Sequence, residues 1–390
     1  MRAKQFIIET LGGFKVKNNL TYLPLNQWVA QQQPQPKTEP AVDEAVGLNA
    51  PHRRVPDAEL QDYLGRVKNK DKSNKSDYYT KPHVHASSLK YIANGTEIDM
   101  GSVRQIITKR PTELLKQNKK LEHSGGHGEV SFNTGLPALK GLAVDEDTGE
   151  FIFVDTCPGA GGCQSYCYVK GGFYIMFKGP WEKMSQTLNF LLNDPEGFEA
   201  QMASEIETLR AEYETPPAWQ ISIRWHDSGD FFSPQYMDMA VRIAKRFPSV
   251  KFYAYTKMGS AAAAQLPDNF IINWSEGANP EQRKIIKIHQ QTTGRPIKKS
   301  EVVPKEMFSG KLAKDAAKQW QWKSPEIYDA FKNSLAAKYK IQPDTILTYD
   351  QMEKTPVGTE PKWNVIVKPG GDGDTSANRR DVIGTYLLYH

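Results

Sequence analysis

Hydrophobic positions follow two different periods in the middle of the chain, beginning near residue 128. Short apolar runs typical of β-strands lie at 150–156, 218–226, 250–256 and 269–275. Segments with helical apolar spacing lie at 181–193, 198–213, 233–247 and 260–266. One of these helices has a well-defined start, because Ser233 is a good N-cap and Pro234 suits the first helical position. Strands that alternate with helices predict an α/β fold with a parallel sheet, open or barrel-like.

The regions on either side of this alternating segment are less regular and more basic. We therefore expect three parts: a basic N-terminal extension at 1–125, a β/α core at 126–280, and a basic C-terminal region at 281–390 that packs on or covers the core. Within the extension, 31–60 is rich in Gln and Pro and shows little periodicity, which is typical of a linker. Residues 311–338 are predicted to be helical.

Composition and charge narrow the class of protein. The 390 residues are 39% hydrophobic and 24% charged, which is ordinary for a soluble protein long enough to bury a core. No apolar run approaches the roughly 18 to 20 residues of a membrane span, and Glu9 interrupts the short apolar patch at the N-terminus. We expect neither a membrane protein nor a secreted one, and predict a cytoplasmic location.

Two stretches, 66–120 and 281–299, are strongly basic. The second contains six Lys or Arg residues against Glu281 as its one acid. A solvated face explains such stretches in most proteins, and a surface that contacts phosphates is the alternative. In the second case we expect Lys116, Lys119 and Lys120 to contact nucleic acid.

The three cysteines, Cys157, Cys163 and Cys167, all lie within eleven residues. An odd number cannot form a closed set of disulfides, and a disulfide-stapled fold spreads its cysteines through the chain. Metal ligands in a reducing compartment explain the cluster, and a chance group of free thiols is the alternative. A Cys₃His zinc site stays open, although the nearest histidines, at 123, 127 and 226, do not have zinc-finger spacing.

Glycines surround these cysteines, at positions 159, 161, 162, 171 and 172. Glycines let the backbone approach inorganic sulfides closely and donate N–H groups to them. Three thiolates on such a loop suit a [4Fe–4S] cluster in which the fourth iron has no protein ligand. An open iron is where substrate or cofactor binds.

Polar residues follow each predicted strand of the core. The 218–226 strand runs into His226, Asp227, Ser228, Gly229 and Asp230. The next strand ends at Thr256 and Lys257, and the last at Ser275, Glu276 and Gly277. Because the cysteine loop follows the 150–156 strand, we expect it at the carboxyl end of the same parallel sheet, where such folds place their sites. A pocket formed by these loops and the cysteine loop is therefore predicted.

Two segments carry a resemblance to known proteins: TCPGAGGCQSYCYVKGGFY at 156–174 and RWHDSGDFFSPQYMDMAVRIAKRFPSVKFYAYTK at 224–257. The cysteine triad, with Tyr166 just before its last member, looks like the radical S-adenosylmethionine (SAM) superfamily. More closely, the two segments resemble the phage "gene product 88" family of radical-SAM-like proteins. That family pairs a Cys-Pro-Gly-Ala…Cys…Cys-Tyr motif with Arg-x-His-x-Ser-Gly-Asp-Phe and a Tyr-Thr-Lys strand end. The resemblance covers roughly residues 130–280.

The resemblance implies a partial (β/α) barrel of radical SAM type that binds a [4Fe–4S] cluster and SAM. The cluster ligands would be Cys157, Cys163 and Cys167. Residues implied in SAM binding are Tyr166, Ser228, Gly229, Asp230, Thr256, Lys257 and Glu276. Asp230 would accept from the SAM ammonium, with a helix N-cap as its structural alternative. His226 and Tyr255 are catalytic candidates, with packing in the core and in the sheet as their alternatives.

The implied activity is cleavage of SAM to a 5′-deoxyadenosyl radical. A phage family and basic flanks favour a DNA or nucleotide substrate, and in particular modification of a phage DNA base by rearrangement of an amino-acid-decorated thymidine in the host cytoplasm. An electron donor of flavodoxin or ferredoxin type is the implied partner. The competing hypothesis is a nucleic-acid-binding protein without catalytic activity, in which an iron–sulfur or zinc centre braces the loop. An electron-transfer module is a third, less favoured reading.

Overall fold

The structure is a computed structural model, and it describes most of the chain after residue 45. The described residues are 46–69, 81–95, 97–117, 128–167, 169, 174, 177–216, 218–303, 325–358, 362–367 and 374–388. His123, His127, Lys119 and Lys120 lie outside them. Within these ranges, no helix combines the length and the apolar character that crossing a membrane requires.

Helices and strands follow one another along the chain as follows. The helices are α1 (Asp57–Lys68), α2 (Ala86–Tyr91), α3 (Met100–Thr108), α4 (Lys178–Asn193), α5 (Pro195–Tyr213), α6 (Pro234–Arg246), α7 (Gly259–Ala262), α8 (Pro280–Thr293), α9 (Pro325–Tyr339), α10 (Tyr349–Lys354) and α11 (Asp374–Ala377). The strands are β1 (His52–Arg54), β2 (Ala93–Asn94), β3 (Glu97–Ile98), β4 (Glu129–Asn133), β5 (Lys140–Val144), β6 (Phe151–Asp155), β7 (Gln220–Trp225), β8 (Lys251–Thr256), β9 (Phe270–Ser275), β10 (Lys299–Val303), β11 (Ile346–Thr348), β12 (Trp363–Val367) and β13 (Val382–Leu388).

The main sheet confirms the predicted α/β class. Among the described residues it has eight strands in the order β11-β12-β13-β10-β9-β8-β7-β4, and every neighbouring pair is parallel. The helices predicted at 181–193, 198–213 and 233–247 are confirmed as α4, α5 and α6. Ser233 caps α6 as predicted, since its hydroxyl accepts from the Tyr236 N–H at 3.2 Å. The first half of the predicted 311–338 helix lies outside the described residues.

Strand order reverses beyond β10, because β13 rather than β11 pairs with it. The C-terminal region therefore supplies β10 to β13 to the same sheet as β4 and β7 to β9. Just before β13, the Asn378 amide donates to Glu129 in β4 and to Ser222 in β7, both at 2.7 Å. A segment adjoining β13 can reach β4 only if the sheet between them curves, so this geometry is compatible with a partial barrel.

One face of the main sheet, covered by α5 and α6, carries the largest hydrophobic core among the described residues. Ile223 and Trp225 of β7 and Phe252 of β8 are buried there against residues of α5 and α6 such as Ile206 and Ile243. Alternation along β7 leaves Ser222 and Arg224 on the other face, which is polar. This division fixes which side chains of each strand can meet a ligand.

The strand before the cysteine loop, β6, does not belong to the parallel sheet, so the expectation that it does is wrong. β6 pairs antiparallel with β1 and β5 in a separate three-stranded sheet. The reason is local, because β5 and β6 form a hairpin closed by the Asp145–Glu150 turn, in which Gly149 adopts a φ of 73°. Residues 46–60 of the predicted linker form a turn, β1 and the first residues of α1.

Candidate functional site

The cysteine loop nevertheless reaches the carboxyl end of the parallel sheet. Its Gly161 N–H donates to the Gly277 carbonyl after β9 at 2.9 Å, and the Asn279 N–H donates back to the Gly159 carbonyl at 2.9 Å. Ala160 and Ala278 form an isolated antiparallel bridge between these hydrogen bonds. The loop is therefore attached to the β9 end by backbone contacts, although it does not arrive there from a strand of this sheet.

Two glycines allow this attachment by their lack of a side chain. A Cβ on Gly159 would lie 2.4 Å from the Lys257 carbonyl oxygen after β8. A Cβ on Gly161 would lie 2.8 Å from the backbone of Ala278. Both distances are shorter than real carbon contacts, so the cysteine loop packs against two loops of the sheet only because these positions are glycine.

Asp230 joins the β7 loop to the end of β8 and to the cysteine loop. One carboxylate oxygen accepts from the Thr256 hydroxyl at 2.5 Å and from the Phe231 N–H at 2.7 Å, and the other accepts from the Lys257 N–H at 2.7 Å. Its own N–H donates to the Thr156 carbonyl at 2.9 Å. The side chain is 4% exposed, and burial raises the pKa of this carboxyl despite its donors. Asp230 therefore connects three loops, while Ser233, not Asp230, caps α6.

Lys257 extends these contacts to β9. Its ammonium donates to the Ser275 hydroxyl at 2.9 Å, and the half-buried side chain lies at the carboxyl edge. In the preceding loop, Gly229 has a φ of 84°, and a Cβ there would lie 2.7 Å from Cβ of Leu136. The predicted residues Gly229, Asp230, Thr256, Lys257 and Ser275 are thus brought together, by packing and hydrogen bonds among themselves.

His226 lies in the aromatic core instead. Its Nε2 is 2.7 Å from the Tyr236 hydroxyl, and the Phe231 ring is 4.6 Å away in an edge-on arrangement. The ring is 2% exposed, and burial, with the charge of Arg224, lowers the pKa of His226 to about 3. A neutral imidazole held by Tyr236 stabilises the junction of β7 and α6, which is the structural alternative that the sequence left open.

Tyr255 lies on the polar face of the sheet. The Arg224 guanidinium is 5.0 Å from the centre of its ring, and the Tyr253 ring is 6.5 Å away. Tyr255 is half-buried, in contrast to the fully buried His226. Of the two catalytic candidates, Tyr255 is the one whose ring lies on the face that a ligand could use.

Sequence reasoning placed Asp227 at the carboxyl end of β7 but did not group it with the charged residues beside β4 and β7. The Asp227 carboxylate accepts from the Tyr174 hydroxyl at 3.2 Å, and burial raises its pKa while the charges of Arg224 and Lys116 oppose the shift. Burial lowers the pKa of Lys116, whose backbone pairs with Asn133 of β4. Lys116 is therefore attached to β4 rather than lying outside the core, and its contact with nucleic acid stays a prediction. The position of Asp227 just after β7 is the sequence signal for this group.

Glu276 follows β9 at the carboxyl edge and lies next to Glu301 of β10. Burial, the hydrogen bond with Glu301 and the charge of Glu301 raise the pKa of Glu276 to about 7. With a pKa of about 7, the carboxyl group of Glu276 can donate as well as accept a hydrogen bond near neutral pH. Glu276 follows β9 at the same edge of the sheet as Lys257, which follows β8, and β8 separates β9 from β7 in the sheet.

The cysteines themselves are close in sequence but do not form a ready-made metal site. The Leu139 N–H is 3.3 Å from the Cys157 sulfur, and burial, then the charges of Asp230 and Cys167, raise the pKa of the Cys157 thiol. In the described part of the chain, no three His, Cys, Asp or Glu side chains are grouped as metal ligands. The backbone of Tyr166 lies in the Gly162–Tyr166 turn, and its side chain lies outside what the structure describes.

Comparison with protein families places the chain among known relatives of the quoted motifs. A family model described as "Gene product 88" matches residues 112–382, which is more than half of the chain. The chain belongs to the gene product 88 family. The match contains the cysteine loop and extends beyond residues 130–280 on both sides, as far as the first residue of β13. The gene product 88 region therefore includes nearly all of the parallel sheet. No curated protein and no solved structure matches the chain.

Proposed function

We propose that this protein is a radical SAM enzyme of the gene product 88 family, in which the cysteine loop binds a [4Fe–4S] cluster. The observation that supports this most is the convergence of four loops at one sheet edge. The cysteine loop and the loops after β7, β8 and β9 are joined there by Asp230, Lys257 and the Gly277 carbonyl. The carboxyl edge of parallel strands is where α/β folds bind cofactors.

The donor set fits a cluster held by three thiolates better than a closed zinc site. A tetrahedral zinc site needs a fourth protein ligand. Of the three candidate histidines, the described part of the chain contains His226, whose Nε2 is hydrogen-bonded to Tyr236 in the aromatic core. The Leu139 N–H beside the Cys157 sulfur is the type of donor that stabilises a thiolate ligand. Such a cluster, when bound, supplies the electron that cleaves SAM into methionine and a 5′-deoxyadenosyl radical.

The chain's own residues divide into two groups around this site. Asp230 and Thr256 bind each other, so we assign them to positioning the loops rather than to direct contact with SAM. Lys257 presents an ammonium for a carboxylate, and Glu276 presents a carboxyl group for hydroxyls. Ser228 is buried, and its hydroxyl has no hydrogen-bond partner among the described residues. These three side chains are the proposed SAM contacts, together with the backbone at Gly229.

Arg224 and Tyr255 lie on the polar face of the strands and are the proposed substrate side of the site. A guanidinium beside an aromatic ring suits a planar, anionic substrate such as a nucleotide. This arrangement supports a DNA or nucleotide substrate, and modification of a phage DNA base is our specific proposal. Tyr255 is the proposed residue nearest to the chemistry.

Metal analysis tests the cofactor assignment. Protein purified under anaerobic conditions and reconstituted with iron and sulfide should be brown and contain about four irons per chain. Stoichiometric zinc without iron would reject the proposal. It would favour a nucleic-acid-binding protein without catalytic activity, in which zinc stabilises the cysteine loop. The measurement is inductively coupled plasma analysis of both metals, with inorganic sulfide determined on the same sample.

A further inference from the structure

A segment before β4, residues 111–116, is fixed against the edge of the main sheet, and we call it the edge strap. The Glu205 carboxylate of α5 accepts from the Leu114 N–H and from the Leu115 N–H, both at 2.8 Å. Both leucines are buried in the core that α5 also contacts. The backbone of the strap is therefore held in one position, and so is Lys116 at its end.

Backbone pairing places the Lys116 side chain on the polar face of the sheet. The Lys116 N–H donates to the Asn133 carbonyl at 3.1 Å and the Asn133 N–H donates back at 2.8 Å, which makes the two an antiparallel pair. Asn133 of β4 is in turn the partner of Arg224 in β7. Directly paired residues of neighbouring strands project from the same side of a sheet. Lys116, Asn133 and Arg224 therefore form one row on the polar face, with neighbours about 5 Å apart.

The Lys116 ammonium has no carboxylate partner in the part of the chain that the structure describes, although the side chain is half-buried. Lys140 is also half-buried, and its ammonium lies 2.6 Å from the Asp155 carboxylate. Burial lowers the pKa of Lys116, and the charge of Asp227 opposes this shift, but no ion pair joins the two residues. A partly desolvated ammonium without a counter-ion gains more from a bound anion than a solvated surface lysine does.

Asp227 partly offsets the charge of the row. Its buried carboxylate accepts from the Tyr174 hydroxyl at 3.2 Å, and the charges of Arg224 and Lys116 both act on it. A Cβ on Gly135 would lie 1.8 Å from Asp227 Oδ1, so the carboxylate occupies space that exists because residue 135 is glycine. Two cations face one buried carboxylate among these described residues, which leaves a net positive charge on the polar face.

We infer that Lys116 and Arg224 form a subsite for an oxyanion of the substrate, a phosphate or a carboxylate group. This subsite rests on the proposed function, which assigns the polar face to the substrate. The Arg224 Nε donates to the His226 carbonyl at 3.0 Å, which orients the guanidinium. A planar guanidinium matches the geometry of an oxyanion, and the Lys116 ammonium adds a point charge beside it. A neutral group would leave the half-buried ammonium without a partner, so the row selects for negative charge.

Three aromatic probes test the charge of this subsite: phenyl phosphate, benzoate and the neutral analogue benzamide. Their dissociation constants for the full-length protein are measured by isothermal titration calorimetry. At least one of the two anions should bind, and Lys116→Gln should raise its Kd about tenfold, the usual effect of losing a charge-assisted hydrogen bond. The control Lys109→Gln makes an equal change of net charge at an exposed position outside the strap, and its Kd should stay within about twofold of the original.

The variant Asp227→Asn should change the affinity in the opposite direction. Removal of the competing negative charge should lower the Kd of the bound anion severalfold and leave that of benzamide unchanged. Damage to the fold weakens binding, so tighter binding in this variant can come only from the altered charge. Weaker anion binding by Asp227→Asn would contradict the subsite.

Equal Kd values for Lys116→Gln and Lys109→Gln would also overturn the subsite, as would the failure of both anions to bind. Tighter binding of phenyl phosphate than of benzoate identifies the substrate group as a phosphate, and the reverse order identifies a carboxylate. The titrations need neither SAM nor a reductant. Failure to release 5′-deoxyadenosine therefore rejects the proposed function and leaves the subsite standing, whereas release combined with an unchanged Kd in Lys116→Gln rejects the subsite alone.

Discussion

The substitution Gly159→Ala is expected to displace the cysteine loop from the edge of the parallel sheet. The new methyl group would lie 2.4 Å from the Lys257 carbonyl oxygen and 3.0 Å from the Met258 sulfur. A side chain can rotate away, but the Lys257 carbonyl belongs to a backbone whose N–H is held by Asp230. Overpacking of this kind costs about 1 to 3 kcal/mol, and contact with fixed backbone favours the upper end. The measurement is the free energy of unfolding from urea denaturation.

A matched control lies in the same loop. A Cβ on Gly162 meets no atom within 4 Å, so Gly162→Ala should change the unfolding free energy by less than about 0.5 kcal/mol. We also expect the Gly159 variant to incorporate less iron on reconstitution than the Gly162 variant. Equal stability and equal iron content in the two variants would show that the loop does not depend on its close approach to Lys257.

The substitution Asp230→Asn is expected to destabilise the protein by about 3 kcal/mol, because both carboxylate oxygens accept from buried donors. The amide keeps one oxygen for the Thr256 hydroxyl and the Phe231 N–H, and its NH₂ group then faces the Lys257 N–H. A hydrogen bond is lost and two donors are forced together in a site that is 4% exposed at Asp230. Urea denaturation measures this loss.

Asp238→Asn, an exposed position on α6, is the control and should shift stability by less than about 0.5 kcal/mol. SAM titration of the reconstituted Asp230 variant separates positioning from contact. If Asp230 contacts the SAM ammonium directly, the variant loses a charge-assisted hydrogen bond worth about 1.5 to 3 kcal/mol, so its SAM affinity should fall tenfold or more. In that case the free energy of unfolding should stay unchanged. That result would contradict the structural role.

The strands and helices of the central segment were predictable because each has a period of its own. β7, β8 and β9 are short apolar runs, and α6 has Ser233 and Pro234 at its start. Once these strands are parallel, their carboxyl ends must share one edge, so the grouping of the polar residues that follow them could also be inferred. The contacts confirm it for Asp230, Thr256 and Lys257.

Other features depend on contacts between residues that are distant in the sequence. The hairpin of β5 and β6 was visible in the Asp145–Gly149 turn sequence, but strand spacing alone did not show which sheet β6 joins. The direction of His226 into the core depends on Tyr236 and on a positive φ of 75° at His226, which a strand pattern does not specify. Thr256 and Lys257 are separated from Asp230 in the sequence by α6 and most of β8. Only the folded structure therefore shows that they donate hydrogen bonds to its carboxylate.

Release of 5′-deoxyadenosine is the measurement that tests the central claim most directly. The reconstituted protein is incubated anaerobically with SAM and dithionite, and the products are separated by liquid chromatography and identified by mass. The proposed function predicts release that requires both reagents and disappears in Cys157→Ala, Cys163→Ala and Cys167→Ala. No 5′-deoxyadenosine from protein that carries its full iron content, or equal release from the cysteine variants, would contradict the assignment of this loop to SAM cleavage.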